Sequence, residues 1–558
     1  MLRALVSQLF ARHANAESHY RRGLDAHRRR DWEAAVRHYE CALRADPLRA
    51  DAWSDLGLAH CERREFEKAR GSFAQALAAE PDHAVANLNL ANLLREEFLD
   101  FSAAEAHYRR ALAAGAARRE ALPALGLALQ EQGRVEEALA CYREAIRLDP
   151  GDLVAREYSL FALNLLPGQS AQDVYQEHLR WAQALGPASA PPRRESDGRI
   201  RVGFVSGDFR GHSTAAFALP LVRALDRSRF EVSCYSTSIA CDQTTRAFRR
   251  AAEHWNDIHA LSDAEAARRI RAERIEILVD LSGHTRGGRL GLFAQRPAPV
   301  AVTWLGYLNT TGLSAIDWRI TDARADPPGA SEAFHSERLV RLPEVQWCFE
   351  PPAEAPAPAG GGSGEAADDR TITFGSCNHV AKLNERVLAL WARLLAEVPQ
   401  SRLMILAVPG AAAAERILET LAGQGVARER LAYCGRLPRD RYWQALAGID
   451  IALDPFPYNG GATTCECLWM GVPVVSLAGR FGFARSGASI LGSIGLSDLV
   501  AASEDEYVAV AARLASDRSR LGALKRELRA RMNSSPLLDS VRFARAFEEA
   551  LLAALERS

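Results

Sequence analysis

The sequence predicts an α plus α/β protein: an N-terminal α-solenoid of helical repeats, then two doubly wound α/β halves. Three observations carry that prediction. A 34-residue pattern recurs between residues 14 and 150. Two later stretches, 198–350 and 371–558, alternate short apolar β-type runs with helical segments. Between them, Pro351 to Asp369 is rich in Pro, Ala and Gly, so 351–370 reads as a flexible linker. At 558 residues the chain is too long for one core, and roughly 100–200 residues per domain gives three domains.

The repeats come first. Pro47 and Pro81 are 34 residues apart, and Pro81 to Pro150 spans 69, which is 34 plus 35. Between the first two prolines, Trp53, Leu56, Gly57, Ala69, Phe73 and Ala76 fall on the tetratricopeptide template. One period earlier sit Gly23, Ala35, Tyr39 and Ala42. One later come Leu90, Ala91, Ala104, Tyr108 and Ala111, with one inserted residue near Phe98–Phe101. The last unit has Leu122, Leu125, Gly126, Ala138, Tyr142 and Ala145. About four helix–turn–helix units are expected in a domain spanning 1–165, with small residues stacked on aromatics. Arrays of this kind bind extended protein segments, so a protein partner is expected there. A regular asparagine ladder is not, because the corresponding positions hold Arg21, Asp55, Asn89 and Ala124.

Residues 166–197, with Pro187-Ala-Ser-Ala-Pro-Pro192, read as a second linker. The first α/β half opens on Arg199–Ser206, apolar enough for a buried parallel strand, followed by Phe230–Tyr235, Ile275–Leu281 and Val300–Trp304. The second runs through Thr371–Phe374, Arg402–Ala407, Leu431–Cys434, Ile449–Leu453 and Val474–Leu477, and ends in a helix from about Asp539. Two Rossmann-like halves facing across a cleft make the GT-B architecture, with ligands at the carboxyl ends of the strands.

Composition narrows the function classes. Formal charge is −1 with a pI near 6.9, so no global field favours nucleic acid or an anionic membrane. No segment offers the roughly 20 apolar residues of a membrane span. Met1–Phe10 is short and amphipathic, without a secretory h-region or cleavage site. The ten cysteines form neither a zinc spacing nor a disulfide framework, and a reducing cytoplasm suits them. Of 69 basic residues only Lys68, Lys382 and Lys525 are lysine. A lysine kept in such a background marks a place where a compact ammonium is wanted and a planar guanidinium does not fit. Lys68 and Lys525 fall on charged helices and read as chance survivors, whereas Lys382 falls in a loop at a strand end.

Three such strand ends carry polar motifs: Val205-Ser-Gly-Asp-Phe-Arg-Gly-His-Ser213, Gly375-Ser-Cys-Asn-His-Val-Ala-Lys382, and the stretch from Asp454 to Val475. In the last, Asn459-Gly-Gly461 breaks an apolar run, Thr463 and Thr464 open a short helix, and Gly471 and Pro473 stop it. Small residues at a helix N-terminus let phosphate oxygens approach bare N–H groups, and Glu466 one turn in has the reach to bond a ribose. The same stretch also reads as an ordinary β-loop-α connection, since Gly-rich loops alone are weak evidence.

Taken together, Val205-Ser-Gly-Asp-Phe-Arg-Gly-His212, Gly283-His-Thr285, Arg296-Pro-Ala-Pro299, Trp304-Leu-Gly-Tyr307, Ile372-Thr-Phe-Gly-Ser376 with Lys382, and Thr463–Pro473 behind tetratricopeptide repeats resemble the protein O-GlcNAc transferase and SPINDLY family, glycosyltransferase family 41. The resemblance covers nearly the whole chain. It implies inverting transfer of a sugar from a nucleotide sugar to Ser or Thr hydroxyls, with no metal and no cofactor beyond the donor. UDP-GlcNAc is the commoner family donor. Asn309-Thr-Thr-Gly-Leu313, Gly283-His-Thr285 and Thr463-Thr-Cys-Glu466 look more like the SPINDLY branch, some of whose members use GDP-fucose. Gly461 stands where the animal enzymes carry a histidine, and Leu308 where the usual motif has proline.

The resemblance also implies roles. Lys382 would lie beneath the diphosphate, with His379 beside it, and His212 would orient or deprotonate the acceptor hydroxyl or bond a donor phosphate. His254 matches a second family position, with a helix-surface histidine as the plain alternative. Leu305 and Gly306 would line the sugar pocket, while Ala462, Thr463 and Thr464 cradle phosphate and Glu466 holds ribose. Arg439 and Tyr442 align with nucleobase contacts or are a solvated charge and a surface aromatic. Arg485 supports the phosphate loop or pairs with a carboxylate. A homodimer is compatible with the family, and a catalytically inactive repeat scaffold or a small-molecule or cell-surface glycan transferase are the rival readings.

Overall fold

The structure is a computed structural model that describes residues 2–194, 198–358 and 371–557. It falls into two compact units, 1–155 with 409–412, and 156–408 with 413–558.

The first unit is four helical hairpins: α1 (Leu2–Arg28) with α2 (Trp32–Ala45), α3 (Ala50–Glu62) with α4 (Phe66–Ala79), α5 (Ala84–Leu93) with α6 (Phe101–Ala113), and α7 (Arg118–Glu131) with α8 (Val135–Leu148). The repeat glycines face the repeat aromatics. A Cβ added at Gly23 or Gly57 would come within 2.5 Å of the Tyr39 or Phe73 ring, and one at Gly126 would strike Tyr142. All three rings, with Tyr108, are fully buried. The template residues are therefore packing groups: a missing side chain on one helix makes room for a ring on the next. The inserted residue of the third repeat is taken up by a π-helical turn at Leu94–Phe98, which ends on left-handed Leu99 (φ +53°). Tyr108 braces that turn, donating to Asn92 Oδ1 (2.6 Å) and accepting from Arg95 Nε (3.0 Å).

Two helices precede the first sheet, α9 (Leu153–Leu165) and α10 (Ala171–Leu185). Here the sequence reading needs correction. Residues 166–197 are not all linker: Ser170 caps α10 by accepting from Asp173 N (3.3 Å), and Ala171, Val174, His178 and Trp181 recur along one buried face. The proline-rich part that suggested a linker begins only after α10 ends. From Arg156 onward α9 also packs with the second unit rather than closing the repeat domain at 165.

The first half is an all-parallel seven-stranded sheet: β1 (Ile200–Ser206), β2 (Phe230–Ser236), β3 (His254–Asp257), β4 (Ile277–Asp280), β5 (Val300–Thr303), β6 (Trp318–Asp322) and β7 (Arg338–Leu342), in the order β3-β2-β1-β4-β5-β6-β7. Helix α11 (Ala215–Ala224) follows β1, α12 (Gln243–Ala251) follows β2, α13 (Asp263–Ala272) follows β3 and α14 (Leu290–Ala294) follows β4. The second half is parallel as well: β8 (Ile372–Ser376), β9 (Ser401–Ile405), β10 (Leu431–Tyr433), β11 (Ile451–Leu453), β12 (Val474–Leu477) and β13 (Val500–Ala501), in the order β10-β9-β8-β11-β12-β13. Its helices are α15 (Glu385–Glu397), α16 (Ala411–Gly423), α17 (Arg439–Ala447), α18 (Ala462–Trp469), α19 (Ser486–Ser493), α20 (Glu504–Ser516), α21 (Arg518–Asn533) and α22 (Ser540–Glu556). This is the expected GT-B pair.

The halves share one apolar core. Helix α22 crosses back to the first half, where Phe543 and Phe547 pack on Trp304 (ring centroids 5.6 and 5.1 Å). Of the expected flexible linker, 351–358 runs without regular structure and 359–370 lies outside the described residues. Within the described residues no helix is long and apolar enough to cross a membrane.

Candidate functional site

In both sheets the loops at the carboxyl ends of the strands hold the polar motifs, and buried carboxylates stand in those after β1, β4 and β11. After β1, Asp208 is 4% exposed and its Oδ2 lies 3.3 Å from His212 Nδ1, which also meets Thr214 Oγ1 at 3.2 Å. Thr214 N donates to the same nitrogen (3.3 Å), so all three contacts use Nδ1. Burial lowers the His212 pKa and raises that of Asp208, and their mutual attraction opposes both shifts.

After β4, Asp280 accepts from the Ser282 and Gly283 amides (3.1 and 3.0 Å) and from Thr303 Oγ1 (2.8 Å), which fixes the Gly283-His-Thr285 turn. His284 is fully buried, with Nε2 bonded to Thr311 O (2.8 Å). After β5, Leu305 takes φ +76°, rare for a branched side chain, and Gly306 presses so closely on Leu281 O that no Cβ fits. That geometry turns the backbone of Leu305-Gly306 at the strand end. The Asn309-Thr-Thr311 segment is held from behind: Arg319 donates to Tyr307 O and Asn309 O (both 2.9 Å), and Glu337 accepts from Thr310 Oγ1 and Thr311 N (both 2.7 Å).

The second half holds the lysine loop and the glycine-rich start of a helix. A 3₁₀ turn, Val380–Lys382, follows β8 and is capped by His379, whose Nδ1 accepts from Ala381 N (3.2 Å). Lys382 Nζ donates to Asn459 O (2.8 Å), lies 3.4 Å from Asn378 Oδ1, and stands 4.8 Å over the Tyr458 ring. Burial pushes its pKa down to about 8 against the pull of Asp454. Asp454 accepts from Gly460 N and Ser476 Oγ (both 2.7 Å), and burial pushes its carboxyl up to about 6. Gly461 is the N-cap of α18, and Thr463 Oγ1 donates to Asn378 Oδ1 (3.1 Å). The first-half Trp347 reaches this point: a Cβ on Gly461 would stand 3.3 Å from its ring. Trp347 in turn packs on Phe217 of α11 (centroids 5.1 Å), the helix that His212 precedes. The two halves thus meet at the N-terminus of α18.

Glu466 is the centre of a second cluster. Its Oε1 accepts from Arg439 (2.7 Å) and its Oε2 from Tyr442 Oη (2.8 Å), while the Arg439 guanidinium lies 4.4 Å over Trp443. Three residues nominated separately for ribose and base are therefore one network. Ala462, Thr463, Thr464 and Lys382 converge at the start of α18, and Leu305 and Gly306 lie at the end of β5 in the other half.

Two nominated residues stand elsewhere. His254 opens the edge strand β3, paired in register with Ser233 near the middle of β2, and is exposed; its Nε2 bonds Glu231 Oε1 (2.8 Å). It lies three residues short of the carboxyl end, outside the cluster. Arg485 donates to two backbone carbonyls, Arg324 O (2.8 Å) and Gly479 O (3.0 Å), and so ties the halves together. His379 is exposed and engaged as a cap. The sequence reading assigned no role to Asp208, Asp280, Asn378, Asp454 or Tyr458. Their signal was position: each sits at or just past the end of an apolar run.

The profile of glycosyl transferase family 41 matches residues 187–349 and 365–547, and tetratricopeptide repeat profiles match 20–84, 55–97 and 120–152. A probable UDP-N-acetylglucosamine–peptide N-acetylglucosaminyltransferase SPINDLY of Solanum lycopersicum is 38% identical over 419 residues, 72% of this chain and 44% of the relative. A protein of the same description from Oryza sativa subsp. japonica is 38% identical over 425 residues, 73% of this chain and 45% of its own. This chain therefore spans less than half the length of these plant relatives. Among solved structures, a mutant O-GlcNAc transferase of Thermobaculum terrenum superposes with a TM-score of 0.75 at 32% identity, covering 97% of both chains. The matched profile covers more than half of the sequence and takes in every strand-end loop described above, so the chain belongs to glycosyl transferase family 41.

Proposed function

We propose that this protein is an inverting protein O-glycosyltransferase that moves a sugar from a nucleoside diphosphate sugar to Ser or Thr hydroxyls. The observation that carries the reading is Lys382, a partly buried ammonium held over Tyr458 and bonded to Asn459 O, two residues before the N-cap of α18. The diphosphate sits on the N–H groups of Ala462, Thr463 and Thr464, where the helix dipole favours negative charge. Glu466 bonds the ribose, and Arg439 and Tyr442 flank the base.

The acceptor oxygen attacks C1 of the sugar from the side opposite the diphosphate. As the C1–O bond to the second phosphate breaks, charge grows on the leaving oxygen, and Lys382 is a preorganised cation for it. His212 takes the hydroxyl proton on Nε2, for which Nδ1 carries the ring proton toward Asp208 in place of accepting from Thr214 N. The GlcNAc donor is favoured by the names of the relatives. The SPINDLY-like motifs and Gly461 favour GDP-fucose as the second reading. A calorimetric titration with UDP and with GDP separates these, and transfer to Ser/Thr peptides is read by the mass shift. Failure to bind either nucleotide leaves only an inactive repeat scaffold.

A further inference from the structure

Helix α9 carries no sequence motif, yet Glu157, Phe161 and Asn164 stand at i, i+4 and i+7 on one helical stripe. Each meets a different loop of the cleft. Asn164 donates to Tyr307 Oη (2.7 Å) and accepts from Asn309 Nδ2 (3.0 Å). The Phe161 ring lies 5.9 Å from the Tyr458 ring, over which Lys382 is held. Glu157 Oε1 lies 3.9 Å from His284 Nδ1, a buried nitrogen with no hydrogen-bond partner among the described residues. The stripe therefore spans the Gly283-His-Thr285 turn of one half and the phosphate loop of the other. Asn164 is buried between its two bonds, whereas Phe161 is half-buried and the Glu157 side chain is 27% exposed.

We propose that Phe161 and Glu157 form an acceptor-binding wall: the ring packs on the residue flanking the acceptor Ser or Thr, and the carboxyl accepts a hydrogen bond from the acceptor's backbone amide. The inference rests on the transferase reading, which places the donor on α18 and leaves the face beside Tyr458 to the acceptor. An aromatic ring next to a carboxyl suits an extended peptide, offering contact area and one directional bond. The carboxyl also faces His284 Nδ1 at 3.9 Å, beyond hydrogen-bond distance. Burial and the nearby Asp263, itself paired with Arg289 (2.6 Å), push the Glu157 pKa up to about 8, so the acid keeps its proton at neutral pH. As a neutral acid it faces His284 without a charge and offers its carbonyl oxygen to the acceptor amide.

The test uses the full chain, the best substrate from a Ser/Thr peptide library, and calorimetry with the preferred nucleoside diphosphate. Phe161→Ala and Glu157→Ala each raise the peptide KM by about tenfold, the size of one lost hydrogen bond or ring contact, without weakening diphosphate binding. Glu157→Gln, a neutral side chain with both donor and acceptor, restores the KM, and Phe161→Leu restores part of it. Unchanged peptide KM in both alanine variants overturns the proposal. So does a joint loss of diphosphate binding and peptide affinity that neither conservative variant relieves, which would make the stripe a scaffold. A wild-type chain that binds neither UDP nor GDP would instead remove the transferase reading on which the wall depends.

Discussion

In the first half of the catalytic unit His212 stands beside Asp208 after β1, and in the second Lys382 feels the pull of Asp454 after β11. Both are bases next to a buried aspartate at a strand end, and both have pKa values lowered by burial. The surroundings then separate them. Asp454 is committed to Gly460 N and Ser476 Oγ and fixes the start of α18, while Lys382 is gripped by Asn459 O and the Tyr458 face. Asp208 stands 3.3 Å from the imidazole, and the His212 side chain is left 39% exposed. Lysine starts near 10.5 and ends near 8, still charged at neutral pH. Histidine starts at 6.5 and moves down, so it is neutral there. One lowering makes a base and the other keeps a cation: the starting pKa decides which.

The sharpest way to break this pairing is to remove each base in turn. His212→Ala is expected to lower kcat/KM by about 10²–10⁴, the usual worth of a general base, with diphosphate affinity retained. Lys382→Ala should cost about 10²–10³ in rate and weaken diphosphate binding as well. If both variants lose only binding, His212 is a phosphate contact and the assigned division of labour is wrong.

The pH profile sharpens the same contrast. Below its pKa His212 is protonated and cannot take a proton, so activity falls on the acid side. Lys382 loses its charge as pH rises through about 8, so diphosphate affinity falls on the basic side. Lys382→Arg should abolish that basic limb, because a guanidinium does not titrate there. Asp208→Asn removes the charge that raises the His212 pKa, and the acid limb should move to lower pH.

The repeat unit offers a different kind of contrast, because its energetics are packing alone. Gly126→Ala drives a methyl into the Tyr142 ring and should destabilise the array by about 1–3 kcal/mol, measured by denaturant unfolding, without changing diphosphate affinity. It also shows why this unit was legible in the sequence. Gly126 and Tyr142 are sixteen residues apart, and the same pair recurs at Gly23 with Tyr39 and Gly57 with Phe73. Periodicity states such contacts directly. In the catalytic unit the strands that were missed are short edge strands such as β3, or carry a buried charge, as β6 does at Arg319. The helix α10 was hidden by the prolines after it. Site residues named from the motifs fell together where the motif lies at a strand end, as with Lys382 and Thr463. The Glu466–Arg439–Tyr442 network and the Glu157–His284 contact join residues 24 to 127 positions apart, and no local pattern announces them.

The smallest effect is expected at His254, and it tests the comparison from the opposite side. His254 and His212 were both nominated because they match family positions. The structure gives His212 a buried aspartate at the end of a central strand. His254 has a partly exposed glutamate, three residues short of the end of the edge strand β3. An exposed pair of this sort is screened by solvent and contributes little. His254→Ala should therefore leave kcat/KM, its pH profile and diphosphate affinity at wild-type levels. A loss comparable to that of His212→Ala would mean that the edge strand moves into the cleft when the acceptor binds. The acid limb of the pH profile would then have to be reassigned between the two histidines, and the double variant would show whether they act in series.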